Sequence, residues 1–382
     1  MAFLYELAVL GAPSNTQIYE LEKIVFETVQ RFGWNIGSEV AWNVLPAAFN
    51  PGPQSAAATV FFGGQNAPQA NLQTLVQLGI PILPVVSNLA NVPTEIPPML
   101  QPLNCLAYNS NNNGEAQRIT TALLECVGLL PYQRRVFVSY LRREARYEAV
   151  QLFEAFASRH FDVFLDTHGI APAINVQSRL WHHLCGSDVL VMLDTTSYFK
   201  SQWTSAEFGR ALAINIPVLR IGWPNTTRSP RTATAINFPL QSSDFNSPGP
   251  GLNNGALDRI CSRLEAVRYK NYPVRHLNLV SKVEVGAQQA GGKVTGAGKN
   301  KAVYIDLANG TPIVVYPTLG IPDSTTLHDA ITNASGQQAG VAYDPLSLEL
   351  KVIEHLDWLS GYTRPNVRWV KAPDAASEFT NW

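Results

Sequence analysis

The chain has 382 residues, 46% of them hydrophobic and 15% charged, a composition that supports packed cores and excludes an intrinsically disordered protein. A formal net charge of −1 argues against a polyanion-binding surface spread over the molecule, so nucleic acid is not an expected partner. The length exceeds one ordinary α/β domain, and two or three domains are expected. Cys105, Cys126, Cys185 and Cys261 are widely spaced and form no Cys-x-x-Cys pair, which points to neither a zinc site nor a disulfide framework. The opening Met1-Ala-Phe-Leu-Tyr-Glu6 has no basic stretch and reaches an acid too soon for a secretory signal. No apolar run approaches the ~20 residues of a membrane span. A cytoplasmic, reducing setting without a membrane partner is expected.

Residues 1–130 read as an α/β unit. Tyr5-Glu-Leu-Ala-Val-Leu-Gly11 predicts a strand ending in a turn, and Asn15 or Thr16 can cap a helix running to residue 32. Residues 58–64 and 81–86 read as buried strands, with a helix over 70–78 between them. Proline and glycine at 50–53 and 93–102 mark long loops. After a connector at 123–133, residues 133–275 form a second unit. Strands are predicted at Arg135-Val-Phe-Val-Ser-Tyr140, Phe161-Asp-Val-Phe-Leu-Asp166, Ser187-Asp-Val-Leu-Val-Met-Leu-Asp194 and Ile216-Pro-Val-Leu-Arg-Ile221. Helices are expected over 145–159, 176–185, 204–213 and 254–269, the third capped by Thr204 or Ser205 with Glu207 in its first turn. The long connection 224–252 is of a length that is more often functional or oligomer-forming than idle.

Residues 279–382 make a third, small α/β unit that matches no family. Gly291-Gly-Lys-Val-Thr-Gly296 lacks the spacing and the lead-in strand of a P-loop, and 286–301 reads as a flexible basic loop. Asn309-Gly310 between two apolar runs predicts a hairpin. Helices over 325–332 and 348–359 and strands at 339–343 and 366–370 complete it.

Within the central unit, three motifs occur in order. Ser139-Tyr140-Leu141-Arg142-Arg143 follows the first strand, Val163-Phe-Leu-Asp166 closes the second, and Trp203-x-x-x-Glu207 opens the third helix. This arrangement, over roughly residues 133–270, resembles the TIR (Toll/interleukin-1 receptor) domain, and in particular its NAD-cleaving bacterial branch. The resemblance implies an α/β fold with flavodoxin-like doubly wound parallel sheets, a central TIR domain and α/β domains on either side. The stretch from Ala70 to Pro81 also aligns without a gap to Ala206–Pro217, placing Asn71 where Glu207 stands. Either the first unit is a degenerate TIR-like copy lacking the carboxylate, or the two share only the cadence of doubly wound domains.

By the same resemblance the activity would be that of an NAD nucleosidase or ADP-ribosyl cyclase, an antiphage immune effector activated by self-assembly. Glu207 would be catalytic, and Tyr140, Arg142, Arg143, Asp166 and Trp203 would bind NAD, which serves as substrate with no further cofactor and no metal. Nicotinamide departs from a cationic ring nitrogen, so the protein needs no general acid, only a carboxylate beside the developing oxocarbenium and donors for the pyrophosphate. Blander readings stand beside these. Glu207 could be a solvated residue favoured by the helix dipole, Trp203 could fill core, and Arg143 could pair with Glu144. His182 and His183 read as surface or interface residues. Glu144-Ala145 replaces the Asp or Ser common near the family's arginines, leaving hydrolysis and cyclisation unseparated. In the imagined oligomer, the apolar Ile170, Ala171, Ala173 and Ile174 would reach a neighbouring TIR domain. The rival readings are a non-catalytic TIR scaffold and a nucleotide-sensing module.

Overall fold

The computed structural model describes residues 3–108, 114–165, 176–346, 348–363 and 365–382. Asp166 and the loop 168–175, with Ile174, therefore lie outside the described residues. The chain forms two compact units, Met1–Tyr132 with Gly298–Lys301, and Gln133–Ala297 with Ala302–Trp382.

The first unit holds one five-stranded sheet. Its elements are β1 (Tyr5–Gly11), α1 (Asn15–Arg31), β2 (Val40–Val44), β3 (Ala56–Phe62), α2 (Leu72–Gln77), β4 (Ile82–Val86), α3 (Val92–Glu95), β5 (Leu106–Ala107) and α4 (Glu115–Cys126). All pairings are parallel, in the order β2-β1-β3-β4-β5. Strand β2, absent from the sequence reading, is an edge strand whose last residues lose burial. Helix α1 starts one residue after Ser14, which makes a reciprocal capping box with Gln17.

The second unit begins with β6 (Arg134–Ser139), α5 (Arg142–Ala157), β7 (Phe161–Leu165), α6 (Val176–Cys185), β8 (Val189–Asp194), α7 (Gln202–Ala213), β9 (Val218–Gly222), β10 (Ile236–Pro239) and α8 (Asn254–Gln289). The five strands are parallel in the order β10-β9-β8-β6-β7, which, counted from β6, repeats the order of the first sheet. Both are doubly wound, with the switch point beside the first strand. The long connection after β9 is ordered by β10, which pairs with β9 at Ile236↔Leu219, and by Arg228, which donates to the carbonyls of Thr232, Ala233 and Ala235.

Helix α8 does not stop near residue 269 but continues for 36 residues, with Pro273 inside it. One missing amide is tolerated because both halves bury apolar faces. Ala256, Ile260, Leu264 and Val267 pack into the core of the second sheet, and Val283 and Ala287 into that of the third. Positions 275 and 279 both fall within this helix.

The third sheet comprises β11 (Lys293–Ala297), β12 (Val303–Asp306), β13 (Pro312–Pro317), β14 (Gln338–Tyr343) and β15 (Val367–Lys371), with α9 (Ser324–Asn333), α10 (Leu350–Thr363) and α11 (Ala375–Thr380). The strands lie in sequence order, antiparallel up to β13 and parallel from there. The Asn309-Gly310 hairpin forms as expected, with Gly310 at φ +80°. The stretch expected to be a flexible loop instead supplies the end of α8 and the bulged strand β11.

The carboxyl end of β8 is fixed by an ion pair. Arg220 Nε meets Asp194 Oδ2 at 2.5 Å with both side chains buried, and Arg220 also donates to Asn237 at 2.7 Å. Burial pushes the Asp194 carboxyl up, against the pull of the guanidinium. The guanidinium lies across Gly222, where an added Cβ would come within 2.4 Å of it. Removing one partner of such a pair leaves a buried charge unmatched. We expect Arg220→Met to cost about 3 kcal/mol or more. The double replacement Asp194→Leu/Arg220→Met should recover much of that loss, as read from urea denaturation midpoints.

Candidate active site

The loops after β6 and β8 leave the sheet on opposite sides, and the gap between them is where doubly wound sheets place ligands. A cleft of about 450 Å³ opens there, lined by Tyr140, Leu141, Arg142, Arg143, Leu180, Ser201, Trp203, Thr204 and Glu207. Five of the six residues singled out from sequence thus border one cleft; Asp166 is outside the described residues.

Helix α7 begins earlier than expected. Its N-cap is Ser201, whose hydroxyl accepts the Thr204 amide at 3.5 Å, and no acid stands in its first turn. Thr204 and Ser205 serve another purpose. Their hydroxyls donate back to the carbonyls of Tyr198 and Phe199 respectively, tying the helix to the turn before it. With this start, Glu207 moves to the second turn, on the same stripe as Thr204, Phe208 and Ala211, all buried. Glu207 itself is only 4% exposed. The first-turn position expected for Glu207, and with it the alternative of a solvated carboxylate, is therefore overturned: the helix turns Glu207 toward the sheet, at the bottom of the cleft.

A buried carboxylate needs donors. Ser139, the last residue of β6, donates its hydroxyl to Glu207 Oε2. Ser139 Oγ also lies 2.6 Å from the hydroxyl of the fully buried Tyr198. Burial and then the charge of Glu207 push the Tyr198 hydroxyl well above its usual range, so it remains a protonated donor.

Trp203, one turn before Glu207, is 56% exposed, so it does not fill core; its ring forms a wall of the cleft. Tyr140 is 5% exposed and belongs to a hydrophobic cluster, with Val136 and Val138, on the opposite face of the sheet from Ser139. Arg142 and Arg143 sit on a single helical turn set off from the rest of α5 by a non-helical Ala145 (φ −142°). Glu144 anchors that turn by accepting the Ser197 amide at 3.0 Å. Desolvation opposes its charge, but the nearby hydroxyls of Thr195 and Ser197, the Ser197 amide and the charge of Arg143 hold its carboxyl below the ordinary value. Arg143 meets Glu144 at 3.7 Å while its side chain stays largely exposed. The pairing foreseen for Arg143 is present, and it leaves the guanidinium at the cleft mouth.

His183 stacks on Phe164 with ring centroids 4.1 Å apart, and burial lowers the pKa of both His182 and His183. They line a different crevice, with Arg135 and Asp323. Sequence reasoning missed Ser139 and Tyr198. The signal for Ser139 was a polar residue directly after the apolar run Val136-Phe-Val138; Tyr198 carried none.

In the first unit, Asn71 is the N-cap of α2 and holds the backbone of Phe49, accepting its amide at 3.0 Å and donating to its carbonyl at 2.8 Å.

Among solved structures, the chain is similar to the TIR domains of the activated Roq1 resistosome that directly recognises the pathogen effector XopQ (16% identity over 37% of this chain and 82% of that one, TM-score 0.23). It is also similar to proximal thread matrix protein 1 from the mussel byssus (12% identity, 70% and 97% covered, TM-score 0.22). A third is the tagatose-6-phosphate ketose/aldose isomerase from Escherichia coli (14% identity, 72% and 83% covered, TM-score 0.19). No curated protein matches. The family model described as TIR domain matches residues 136–247, from the first strand of the second sheet to just beyond its last, and this segment is a TIR domain.

Proposed function

We propose that the TIR domain cleaves the nicotinamide–ribose bond of NAD, as a nucleosidase or ADP-ribosyl cyclase. The observation that carries this reading is the placement of Glu207. Its carboxylate lies almost wholly buried at the floor of a cleft, held by the Ser139 hydroxyl and flanked by Trp203 and the Arg142–Arg143 turn. A scaffold that acts only by surface contact has no use for a carboxylate kept in such a position.

In the proposed reaction the bond between ribose C1′ and the pyridinium nitrogen breaks. Its electron pair stays with nicotinamide, which leaves neutral. The ribosyl oxocarbenium that remains is stabilised by the Glu207 carboxylate. Water then adds to C1′ and loses a proton, or a nitrogen of the adenine of the same molecule adds and closes a ring. The exposed Trp203 ring offers a face to nicotinamide, and the two guanidiniums offer paired donors to the pyrophosphate. NAD is the substrate; the reading needs no other cofactor and no metal. Among the described residues no helix is long and apolar enough to cross a membrane.

The reading extends to a role as an antiphage effector switched on by TIR–TIR self-assembly. Exclusion of water from a half-open cleft would then come from a neighbouring protomer.

Incubating pure protein with NAD and following free nicotinamide tests the activity. Glu207→Gln preserves shape at a buried site and should lower turnover by about 10² to 10³; a folded variant keeping a third of wild-type activity would sink the assignment. Trp203→Ala, at an exposed position, should leave stability nearly unchanged and raise KM for NAD roughly 10-fold. Specific activity per protomer should rise with protein concentration. Turnover strictly proportional to enzyme over a wide dilution range, with a monomer seen by light scattering, would exclude activation by assembly.

A further inference from the structure

We propose that Ser139 and Tyr198 are positioning residues for Glu207, a directed chain of two hydroxyls that fixes the carboxylate before substrate arrives. The inference rests on the NAD-cleaving reading and concerns how that site is held.

Three geometric facts carry it. First, Ser139 Oγ contacts both Glu207 Oε2 and, at 2.6 Å, the Tyr198 hydroxyl. A serine hydroxyl has one proton, and an ionised carboxylate only accepts. The serine proton therefore points to Glu207, and Tyr198 must donate to Ser139. The order of donation is Tyr198, then Ser139, then Glu207, with every proton directed at the carboxylate. Second, all three side chains are buried, in a setting where such a chain strengthens each of its links. Third, Tyr198 is held at its other end as well. Its carbonyl accepts the Thr204 hydroxyl within the first turn of α7, and its amide donates to Thr195 at 3.1 Å. Tyr198 thus joins the end of β6, the turn after β8 and the start of α7, the three segments that meet at Glu207.

The chemistry explains why such a brace matters. A glutamate side chain has three torsions, and a carboxylate that wanders by an ångström from the developing cation loses much of its electrostatic effect. Ser139 binds Glu207 and touches no atom that reacts, so its removal should act on kcat and spare substrate affinity.

The test is a double-mutant cycle on NAD turnover. Ser139→Ala in the wild-type background is expected to lower kcat about 10- to 100-fold with KM within about 3-fold. Tyr198→Phe, which keeps the ring and its packing, should lower kcat in the same direction by about 3- to 10-fold. In the Glu207→Gln background, where the carboxylate is already gone, Ser139→Ala should change kcat less than about 3-fold. A merely structural serine would instead multiply its loss onto that of Glu207→Gln, which would overturn the proposal. So would wild-type kcat in folded Ser139→Ala and Tyr198→Phe. If Ser139→Ala fails to fold, Tyr198→Phe in the two backgrounds gives the same comparison. A wild-type protein that releases no nicotinamide at any concentration would overturn the NAD-cleaving reading itself, an outcome separate from an active enzyme indifferent to Ser139.

Discussion

A carboxylate with 4% of its surface exposed cannot stay charged on helix geometry alone; the surrounding fold has to supply donors. That requirement sets the architecture around Glu207. The donor, Ser139, ends the strand beside the switch point, and the helix bearing Glu207 must start early enough to turn position 207 inward. Ser201 as N-cap and Thr204 as the link back to Tyr198 fix that start. The Arg220–Asp194 pair fixes the end of the strand that leads into this turn. Asp194 also contributes to holding the Tyr198 hydroxyl protonated, though less than burial and Glu207 do. Strand ends, helix start and catalytic candidate are one hydrogen-bonded assembly, and a change in any of them reaches the others.

The second constraint is helix α8. It serves two sheets in turn, with its first half packed on the TIR core and its second on the core of the third sheet. Two ion pairs with buried arginines join it to the start of β6 and the residue before β8. Glu265 meets Arg134 at 2.7 Å, and Arg268 meets Asp188 at 2.8 Å. Each carries a charge that would be costly unpaired. A helix continuous over about 54 Å contributes to both cores, and the TIR domain and the third sheet belong to one compact unit.

Much of this was legible in the residues. Apolar runs such as Val189–Asp194 announce buried parallel strands, and Asn309-Gly310 announces its hairpin. What escaped did so for physical reasons. β2 is a partly exposed edge, and β11 is largely exposed and bulged at Gly296, so neither shows a clean period of two. The continuation of α8 past residue 269 was not read, and whether a proline such as Pro273 ends a helix depends on what the flanking turns bury. The site was half visible. The motif residues were named, yet Glu207 was placed in the first turn, because Thr204 or Ser205 was taken as the cap and Ala206, Phe208, Ala211, Leu212 and Ala213 as the packed positions. The stripe Thr204, Glu207, Phe208, Ala211 has equal claim by spacing. It would have placed a carboxylate in the core and demanded a partner, which the polar end of β6 supplies. Tyr198, distant in sequence and inside an irregular turn, could be found only in three dimensions.

The same strand order occurs in the first unit, which allows Asn71 to be compared with Glu207. Counting back from the Ile-Pro that precedes β4 and β9, Asn71 stands opposite Glu207. The equivalence breaks at the helix. α2 has six residues and α7 has twelve. The turn and a half that carries Ser201 to Glu207 in α7 has no helical counterpart in α2, where Asn71 is already the cap. Its amide is spent on Phe49 in the loop before β3. A helix shortened from its N-terminus cannot project a side chain beneath the switch point, whatever residue it carries. Asn71 is therefore not placed as Glu207 is, and a glutamate at position 71 would stand at a helix cap in contact with backbone.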